Sequence, residues 1–369
     1  MLFALLLLLL LPFHWYAWKR LVKDPFRRRG LRIAGLVVLA LLAGALVVTY
    51  SRRVRDILPD VVSDAVSKVG HIWLGAMFYL ALILVLLELP RFFVARRIDR
   101  IDEDRRLLLA RGAAVAAGVA TASVVGYGVA TALGPPRLKR VKIPLAKLPA
   151  RLDGYRIAVV SDIHLGTFSS AARTRRIVET INGMGADLIA VVGDLVDGGV
   201  DELWEQALPL RGLSSTDGAF FVTGNHEYYG AGPQWLEHID DLGMRLLRNE
   251  RVNIRGIELA GIDDPNGTPD FQAALSGRDP ANPTILLAHQ PVMAFDAAKH
   301  QVDLQLSGHT HGGQMFPFHY VVRSQQPVLS GLGEVDGMKV YVTNGAGFWG
   351  PPVRVGAPPD VTLVELRSL

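Results

Sequence analysis

The sequence predicts two regions of different fold class: an all-α membrane region of about four helices, followed by an α/β domain. Half of the residues are hydrophobic, and the mean hydropathy is positive, at +0.26. Long apolar stretches dominate residues 1–134, whereas from Arg156 onward short β-rich runs alternate with helical patterns. Such alternation is typical of a layered α/β domain with its chemistry on loops at strand ends.

The apolar stretches cover residues 1–18, 31–50, 70–89 and 108–133. Each is close to the roughly 20 residues that cross a bilayer as a helix. Four such stretches with basic connections favour membrane helices over buried helices of a soluble core. A signal peptide is the competing interpretation of the first stretch, but that stretch lacks a charged start and a small-residue cleavage site.

Three segments follow from this pattern. We expect residues 1–134 to form the transmembrane region and residues 155–369 to form the α/β domain. Pro135-Pro136 stops the last apolar stretch, so residues 135–154 are expected to be a linker.

The charges are distributed unevenly along the chain. Residues 1–150 carry 23 Lys and Arg against 9 Asp and Glu, whereas residues 151–369 carry 16 against 26. The basic charge therefore flanks the apolar stretches, where it meets lipid headgroups, and the acidic second half argues against nucleic-acid binding. The chain has no cysteine, which excludes disulfides, thiolate ligands and a cysteine nucleophile.

Orientation in the membrane is predicted from the basic residues of the connections. The first and third connections are richer in Lys and Arg than the second, which places them in the cytoplasm and the α/β domain outside an inner or plasma membrane. Basic residues between Arg137 and Lys147 weaken this assignment. Asp104-Arg105-Arg106 ahead of an apolar stretch resembles a twin-arginine export signal, and an ordinary basic flank is the alternative.

Eight runs in the second half are strand candidates, and four stretches are helix candidates. The strands are expected at Arg156–Ser161, Leu188–Gly193, Ala219–Thr223, Ile257–Gly261, Thr284–Ala288, Leu304–Ser307, Lys339–Thr343 and Val361–Leu366, and the helices at 170–184, 201–212, 233–242 and 292–299.

Several of these strands are followed at once by polar residues suited to metal binding. The clusters are Asp162-Ile163-His164, Gly193-Asp194, Gly224-Asn225-His226-Glu227, His289 and Gly308-His309-Thr310-His311-Gly312-Gly313. Any one cluster would be a weak signal, since Asp-x-His is commonly a surface turn and Asn-His a cap. Five in order, each closing a strand, are difficult to explain by packing.

The order of these clusters resembles the calcineurin-like metallophosphoesterase superfamily, whose pattern is Asp-x-His, Gly-Asp, Gly-Asn-His-Asp/Glu, a lone His and Gly-His-x-His. Every element is present between Ser161 and Gly313, with Glu227 where Asp is common. The tail Asn344–Arg354 is similar to the membrane-associated branch that includes YkuE, YaeI and transmembrane proteins with a metallophosphoesterase domain. The resemblance implies a four-layer α/β/β/α sandwich.

The resemblance also implies two divalent transition-metal ions. Asp162, His164 and His311 would hold the first, Asn225, His289 and His309 the second, and Asp194 would bridge them. Oxygen and imidazole ligands without thiolate suit Mn, Fe or Zn and do not choose among them. Two cations about 3.5–4 Å apart can activate water, here as a bridging hydroxide, and clamp a phosphoryl group.

Catalytic roles fall to Asp194 and His226. In the family the histidine after the ligand asparagine lies beside the phosphate, where it stabilises the transition state or protonates the leaving oxygen. An extra ligand or a cap is the alternative role for His226. Glu227 is expected to orient His226 or a ligand histidine, and no catalytic role is assigned to Asp197, Asp263 or Asp264.

The predicted function is a membrane-anchored, metal-dependent phosphohydrolase. A phosphodiester or a lipid-linked envelope substrate is favoured, because membrane helices adjoin the domain. The aromatic residues Phe316, Phe318, Tyr320, Phe348 and Trp349 either line an apolar entrance or pack in the core. The alternative function is a catalytically silent membrane scaffold that retains the fold.

Overall fold

The computed structural model describes residues 2–98 and 102–369, with side chains described from residue 10 onward apart from residues 52 and 90–101. The chain forms two compact units. One contains Met1–Ala130 and Gly350–Val353, and the other contains Thr131–Trp349 and Arg354–Leu369.

The helical unit holds the N-terminal helices. They are α1 (Leu2–Trp18), α2 (Arg29–Tyr50), α3 (Arg52–Arg55), α4 (Asp60–Ile98) and α5 (Glu103–Leu133). Three helical segments are long and apolar enough to cross a membrane, namely Arg29–Tyr50, Asp60–Leu89 and Glu103–Leu133. Among the described residues α1 spans 17, so the structure supports three spanning helices where about four are predicted.

Two of these helices begin earlier than hydropathy suggests. α4 starts at Asp60 and not near residue 70, because its first turns, Asp60–Val69, mix polar and apolar residues that hydropathy discounts. α5 starts at Glu103 and not near residue 108. Glu103 and Asp104 occupy its first turn, where acidic side chains favour the helix N-terminus.

The second unit alternates strands and helices. Its elements in chain order are β1 (Arg137–Leu145), β2 (Arg156–Val160), α6 (Ala171–Asn182), β3 (Leu188–Val192), α7 (Val200–Ala207), β4 (Ala219–Val222), β5 (Arg245–Leu246), β6 (Glu250–Ile254), β7 (Ile257–Gly261), α8 (Phe271–Ala274), β8 (Thr284–Leu287), α9 (Ala294–Lys299), β9 (Leu304–Ser307), α10 (His319–Arg323), β10 (Gly331–Val335), β11 (Met338–Val342) and β12 (Asp360–Ser368).

All eight predicted strands are present, and the helix candidates at 170–184 and 201–212 correspond to α6 and to α7 with a 3₁₀ turn. The candidate at 233–242 consists of 3₁₀ turns, and the one at 292–299 ends in α9. The predicted linker 135–154 is partly wrong, because Arg137–Leu145 forms β1 and pairs in parallel with β12. In β1 the positions Ile143 and Leu145 are buried, whereas Arg140 and Lys142 are exposed.

The strands form two six-stranded sheets. Their orders are β1-β12-β2-β3-β4-β5 and β10-β11-β9-β8-β7-β6. One apolar cluster joins them, with Val159 and Val192 from the first sheet and Leu287 from the second. Separate clusters pack Ile177 of α6 on the outside of the first sheet and Ala294 of α9 on the outside of the second. The predicted α/β/β/α sandwich is confirmed.

The direction of the strands determines where the polar loops meet. β2, β3 and β4 are parallel in the first sheet, and β7, β8 and β9 are parallel in the second. The carboxyl ends of parallel strands share one edge, so the residues that follow them converge at that edge.

Candidate metal centre

The site residues lie in sharp turns directly after the strands. Asp162 and His164 follow β2, Asp194 follows β3, and His309 and His311 follow β9. All five have positive φ angles, at 53°, 48°, 54°, 69° and 51°. Non-glycine residues rarely adopt this conformation, and each occurrence costs on the order of 1–3 kcal/mol. The fold therefore sustains backbone strain at the point where these side chains converge.

Two glycines permit the close approach of these turns. A Cβ atom at Gly308 would collide with the Ser161 hydroxyl and the Asp162 carboxylate, and one at Gly224 would collide with Asp194. Glycine is needed here because a neighbouring turn passes within contact distance of its Cα.

The first group of predicted ligands is compact and buried. Nε2 of His311 lies 3.3 Å from Oδ1 of Asp162 and 3.1 Å from Nε2 of His164. The candidate ligand atoms of all three side chains lie within 4.8 Å of one another. The structure therefore brings together the three residues predicted for the first cation.

The second group is assembled around Asp194. Its Oδ2 lies 3.1 Å from Nε2 of His289, and the candidate ligand atoms of Asp194, His289 and His309 lie within 4.8 Å of one another. The same oxygen is 3.8 Å from Nε2 of His164 in the first group. Asp194 thus stands between the two groups, as a bridging ligand would.

Two buried side-chain atoms show that these residues fit bound cations. Oδ1 of Asn225 is buried and makes no hydrogen bond, and Nε2 of His289 is buried with Asp194 as its neighbour. The other ring nitrogen of His289 lies 2.7 Å from the Val192 carbonyl. In the neutral ring the proton therefore belongs on Nδ1, and Nε2 would present its lone pair to a cation in the cluster.

His164 and His311 differ in the partner of Nδ1. In His164 it lies 2.9 Å from the Asp197 carboxylate, so Nε2 can present a lone pair. In His311 it lies 3.0 Å from Nη2 of Arg354. A guanidinium only donates, so Nδ1 of His311 accepts and a neutral ring carries its proton on Nε2. A neutral histidine offers a cation only one nitrogen lone pair, so binding through Nε2 would move the ring proton to Nδ1 and leave Arg354 bonded to the neighbouring carbonyls alone.

Within the cluster, the carboxylates and the histidines balance one another's charge. Burial alone would raise the pKa of the Asp194 carboxyl, but His289, His164 and His226 together hold it well below its usual value. Burial likewise opposes the charged form of His289, but Asp194 and Asp162 raise its pKa to about 10. Protonated histidines thus balance the buried carboxylates, and cations would take over that role on binding.

His226 is half-buried, as is His309, and it has a carboxylate partner that sequence reasoning missed. Its Nδ1 lies 2.6 Å from Oδ1 of Asp197, the oxygen that also contacts His164. Burial alone would raise the pKa of the Asp197 carboxyl, but the two histidines hold it well below its usual value. The signal available in the sequence was the position of Asp197, one turn after Asp194 in the same strand-end loop.

The prediction that Glu227 orients His226 or a ligand histidine is wrong. Its fully buried carboxylate accepts the backbone N–H groups of Asp194, Leu195 and Gly224 at 2.9, 2.8 and 2.6 Å. The 3₁₀ turn His226–Tyr228 directs this side chain back beneath the strand ends. Glu227 therefore fixes the Asp194 turn.

Asp263 and Asp264, which were assigned no catalytic role, have structural partners. Asp263 accepts from Thr223 Oγ1 at 2.7 Å and from Arg248 Nε at 3.0 Å. Asp264 accepts from the side chain of Gln290 at 3.0 Å. Both are completely buried, and these bonds hold the loop after β7 next to the site.

A two-sheet sandwich with an Asp/His/Asn cluster at its strand ends defines a class of metallohydrolase fold. Residues 155–313 match the family model of the calcineurin-like phosphoesterases. The chain is 33% identical over 389 residues to a "Transmembrane protein with metallophosphoesterase domain" of Danio rerio, covering 96% of this chain and 86% of the relative. The chain therefore belongs to the calcineurin-like phosphoesterase family.

Bacterial relatives are of similar identity. An "Uncharacterized metallophosphoesterase" of Helicobacter pylori strain J99 is 39% identical and covers 66% of this chain and 68% of that protein. The "Uncharacterized metallophosphoesterase YkuE" of Bacillus subtilis is 32% identical and covers 72% of this chain and 97% of that protein. The resemblance read from the motifs, including its membrane-associated branch, is confirmed.

Proposed function

We propose that this chain is a membrane-anchored phosphohydrolase that hydrolyses phosphate esters with the help of two divalent transition-metal ions. The observation that carries the proposal is the constellation itself, with Asp194 between two ligand groups and a buried ligand atom without a hydrogen bond on Asn225. Backbone strain concentrated at such a cluster is typical of functional sites and favours catalysis over a silent scaffold.

The ligand residues have separate tasks. Asp162, His164 and His311 would hold one cation, Asn225, His289 and His309 the other, and Asp194 would contact both. Two bound cations would lower the pKa of coordinated water and neutralise charge that develops on the phosphoryl group. The donor set suits Mn, Fe or Zn, and we favour Mn without excluding the others.

His226 is the proposed proton donor to the leaving oxygen. Its Nδ1 is held by Asp197, so a proton on Nε2 could pass to the leaving oxygen of a bound ester. Asp197 does not contact the ester in this mechanism. It fixes the ring orientation of His226 and of His164 together.

Two substitutions test the mechanism. Asp194→Asn and His226→Ala are expected to leave the protein folded and to slow hydrolysis of a chromogenic phosphodiester in the presence of Mn²⁺, by about 10²–10⁴-fold for His226. Metal analysis should find about two equivalents in the wild type and fewer in Asp194→Asn. Wild-type rates in both variants would exclude the mechanism, and a protein without metal would favour the scaffold alternative.

A lipid-linked phosphate ester is the proposed substrate class. Phe316, Phe318, Tyr320 and Trp349 are exposed by 53, 38, 65 and 54%, so of the two interpretations of these aromatics, packing in the core is wrong for these four. Trp349 is tied to the loop after His311 because its N–H donates to Gln314 and its carbonyl accepts from Gln314. The exposed aromatics therefore begin beside the metal centre, where an acyl chain would be accommodated.

The substrate class is tested by comparing a soluble chromogenic diester with a long-chain phosphate ester in lipid nanodiscs. Trp349→Ser with Tyr320→Ser should raise KM for the long-chain ester about tenfold and leave hydrolysis of the soluble diester unchanged. Phe295→Ser is the matched control, because this phenylalanine on α9 is 44% exposed. Equal effects on both substrates would argue for a small soluble ester.

A further inference from the structure

Arg354 is a completely buried arginine beside the candidate metal centre. Its guanidinium donates to the carbonyls of His311 at 2.7 Å, Asn344 at 2.9 Å and Gly347 at 3.1 Å, and to Nδ1 of His311 at 3.0 Å. Among the residues that the structure describes, no carboxylate lies within ion-pair distance of it, and Asp162 and Asp360 favour its charged form only from further away. A buried cation without a direct carboxylate contact is costly, so its hydrogen bonds require a functional explanation.

These acceptors lie on the two loops that carry the first group of ligands. The turn at Asn344–Gly347 packs on the Asp162 loop, because the N–H of Ala346 donates to Ser161 at 2.9 Å and that of Gly347 donates to Asp162 at 2.8 Å. The guanidinium therefore connects the Asp162 loop, through this turn, to the backbone and the ring of His311.

The second group of ligands is held by other contacts. The ring of His289 is fixed by the Val192 carbonyl, and the turn of Asn225 is fixed by Glu227 through Gly224. Neither contact involves Arg354. His309 is the exception, because it shares the loop after β9 with His311 and its N–H donates to the Asp162 carboxylate at 3.0 Å. Two of the three residues of the second group thus have supports of their own.

We propose that Arg354 is a positioning residue for one half of the metal centre: it holds Asp162 and His311 at the separation that a shared cation requires. The inference rests on the proposed function for the presence of two cations. A planar guanidinium reaches several carbonyls in one plane, whereas a lysine ammonium offers three donors at one point. The arginine fork, and not its charge, therefore provides the positioning.

Metal affinity of the full chain in detergent tests this assignment. Arg354→Gln should weaken one of two Mn²⁺ sites about 10–100-fold, the usual effect of removing a residue that orients metal ligands. It should weaken the other by a smaller factor, because only His309 of that group shares a loop with His311. Titration against a fluorescent chelator resolves the two sites, and Arg354→Lys should show the same split loss.

Arg173→Gln is the matched control. Arg173 is also a buried arginine, and it donates to Ala346 of the same turn at 3.5 Å and to Ala132 at 3.1 Å. It does not touch His311 in the described structure, so both sites should persist in its variant. Thermal unfolding of both variants reports any general loss of stability.

Chemical rescue distinguishes loss of the guanidinium contacts from a general loss of packing. Added guanidinium should restore the weakened site in Arg354→Ala, because the free ion fits the space left by the side chain. Equal weakening of both sites, an unchanged pair of sites, or a site that tightens on removal of the positive charge would each overturn the inference. Failure of the wild type to bind metal would overturn the proposed function itself.

Discussion

At the scale of single residues, the site depends on hydrogen-bond partners as much as on ligands. Asp197 illustrates this, because one carboxylate oxygen lies 2.9 Å from Nδ1 of His164 and 2.6 Å from Nδ1 of His226. It thereby couples the ring orientation of a proposed ligand to that of the proposed proton donor. Carboxylate–histidine pairs of this kind fix the tautomer as well as the orientation of the ring.

Asp197→Asn should therefore impair both metal binding by His164 and proton donation by His226. An asparagine oxygen in the same place can still accept both N–H groups, but the neutral amide lacks the carboxylate charge that strengthens these two hydrogen bonds. We expect kcat to fall by about 10²–10⁴-fold and affinity for one metal to fall about 10–100-fold.

The control for Asp197→Asn is Asp201→Asn, since Asp201 is exposed in the first turn of α7. Kinetics with a chromogenic diester and metal titration supply the measurements. Wild-type kcat in Asp197→Asn would show that the close contact with His226 has no catalytic consequence.

At the scale of secondary-structure elements, the sequence was most informative where a strand is buried on both faces. β2, β3, β8 and β9 are almost wholly buried, and their continuous apolar runs followed by polar clusters made both the strand and its site residue predictable. β6 and β10 lie at sheet edges and are partly exposed, so they lack such runs and were missed.

The roles of Asp197 and Glu227 could not be predicted in the same way. Which atoms a loop carboxylate faces depends on the left-handed turns at Asp162, His164 and Asp194, and these are set by tertiary packing. The neighbouring positions in sequence suggested that Glu227 orients His226. In the structure Glu227 accepts backbone N–H groups, and Asp197 contacts the His226 ring. Spacing identifies the ligands, whereas folding determines what supports them.

The Lys and Arg residues of β1 obscured this strand in the sequence, and its contribution to the core can be tested. Ile143 is fully buried against the cluster between the sheets, so Ile143→Ala should destabilise the catalytic unit by about 2–5 kcal/mol through lost burial and the cavity left behind. Thermal unfolding of the full chain in detergent measures the shift.

Leu138→Ala is the paired control on the same strand, because Leu138 is 45% exposed and should lose less than about 0.5 kcal/mol. Similar shifts for the two substitutions would mean that β1 contributes little to the core and behaves as the linker that its sequence suggested.

At the scale of the whole molecule, the chain combines segments able to span a membrane with an acidic α/β unit of the calcineurin-like phosphoesterase family. The three segments end at Tyr50, Leu89 and Leu133, and the α/β unit follows the last. Lys and Arg are concentrated at residues 19–29 and 91–106. Because basic connections stay in the cytoplasm, we propose that the α/β unit lies on the extracytoplasmic side of the membrane.

Fusion of alkaline phosphatase after Leu369 in a bacterial host tests that orientation. The reporter needs disulfides that form only outside the cytoplasm, so an outward catalytic unit should give an active fusion. A fusion of green fluorescent protein at the same position is the complementary control, because it should then be dark when exported in unfolded form. An inactive phosphatase with a fluorescent second fusion would place the metal centre in the cytoplasm. It would also restrict the ester substrates to those of the inner leaflet or the cytosol.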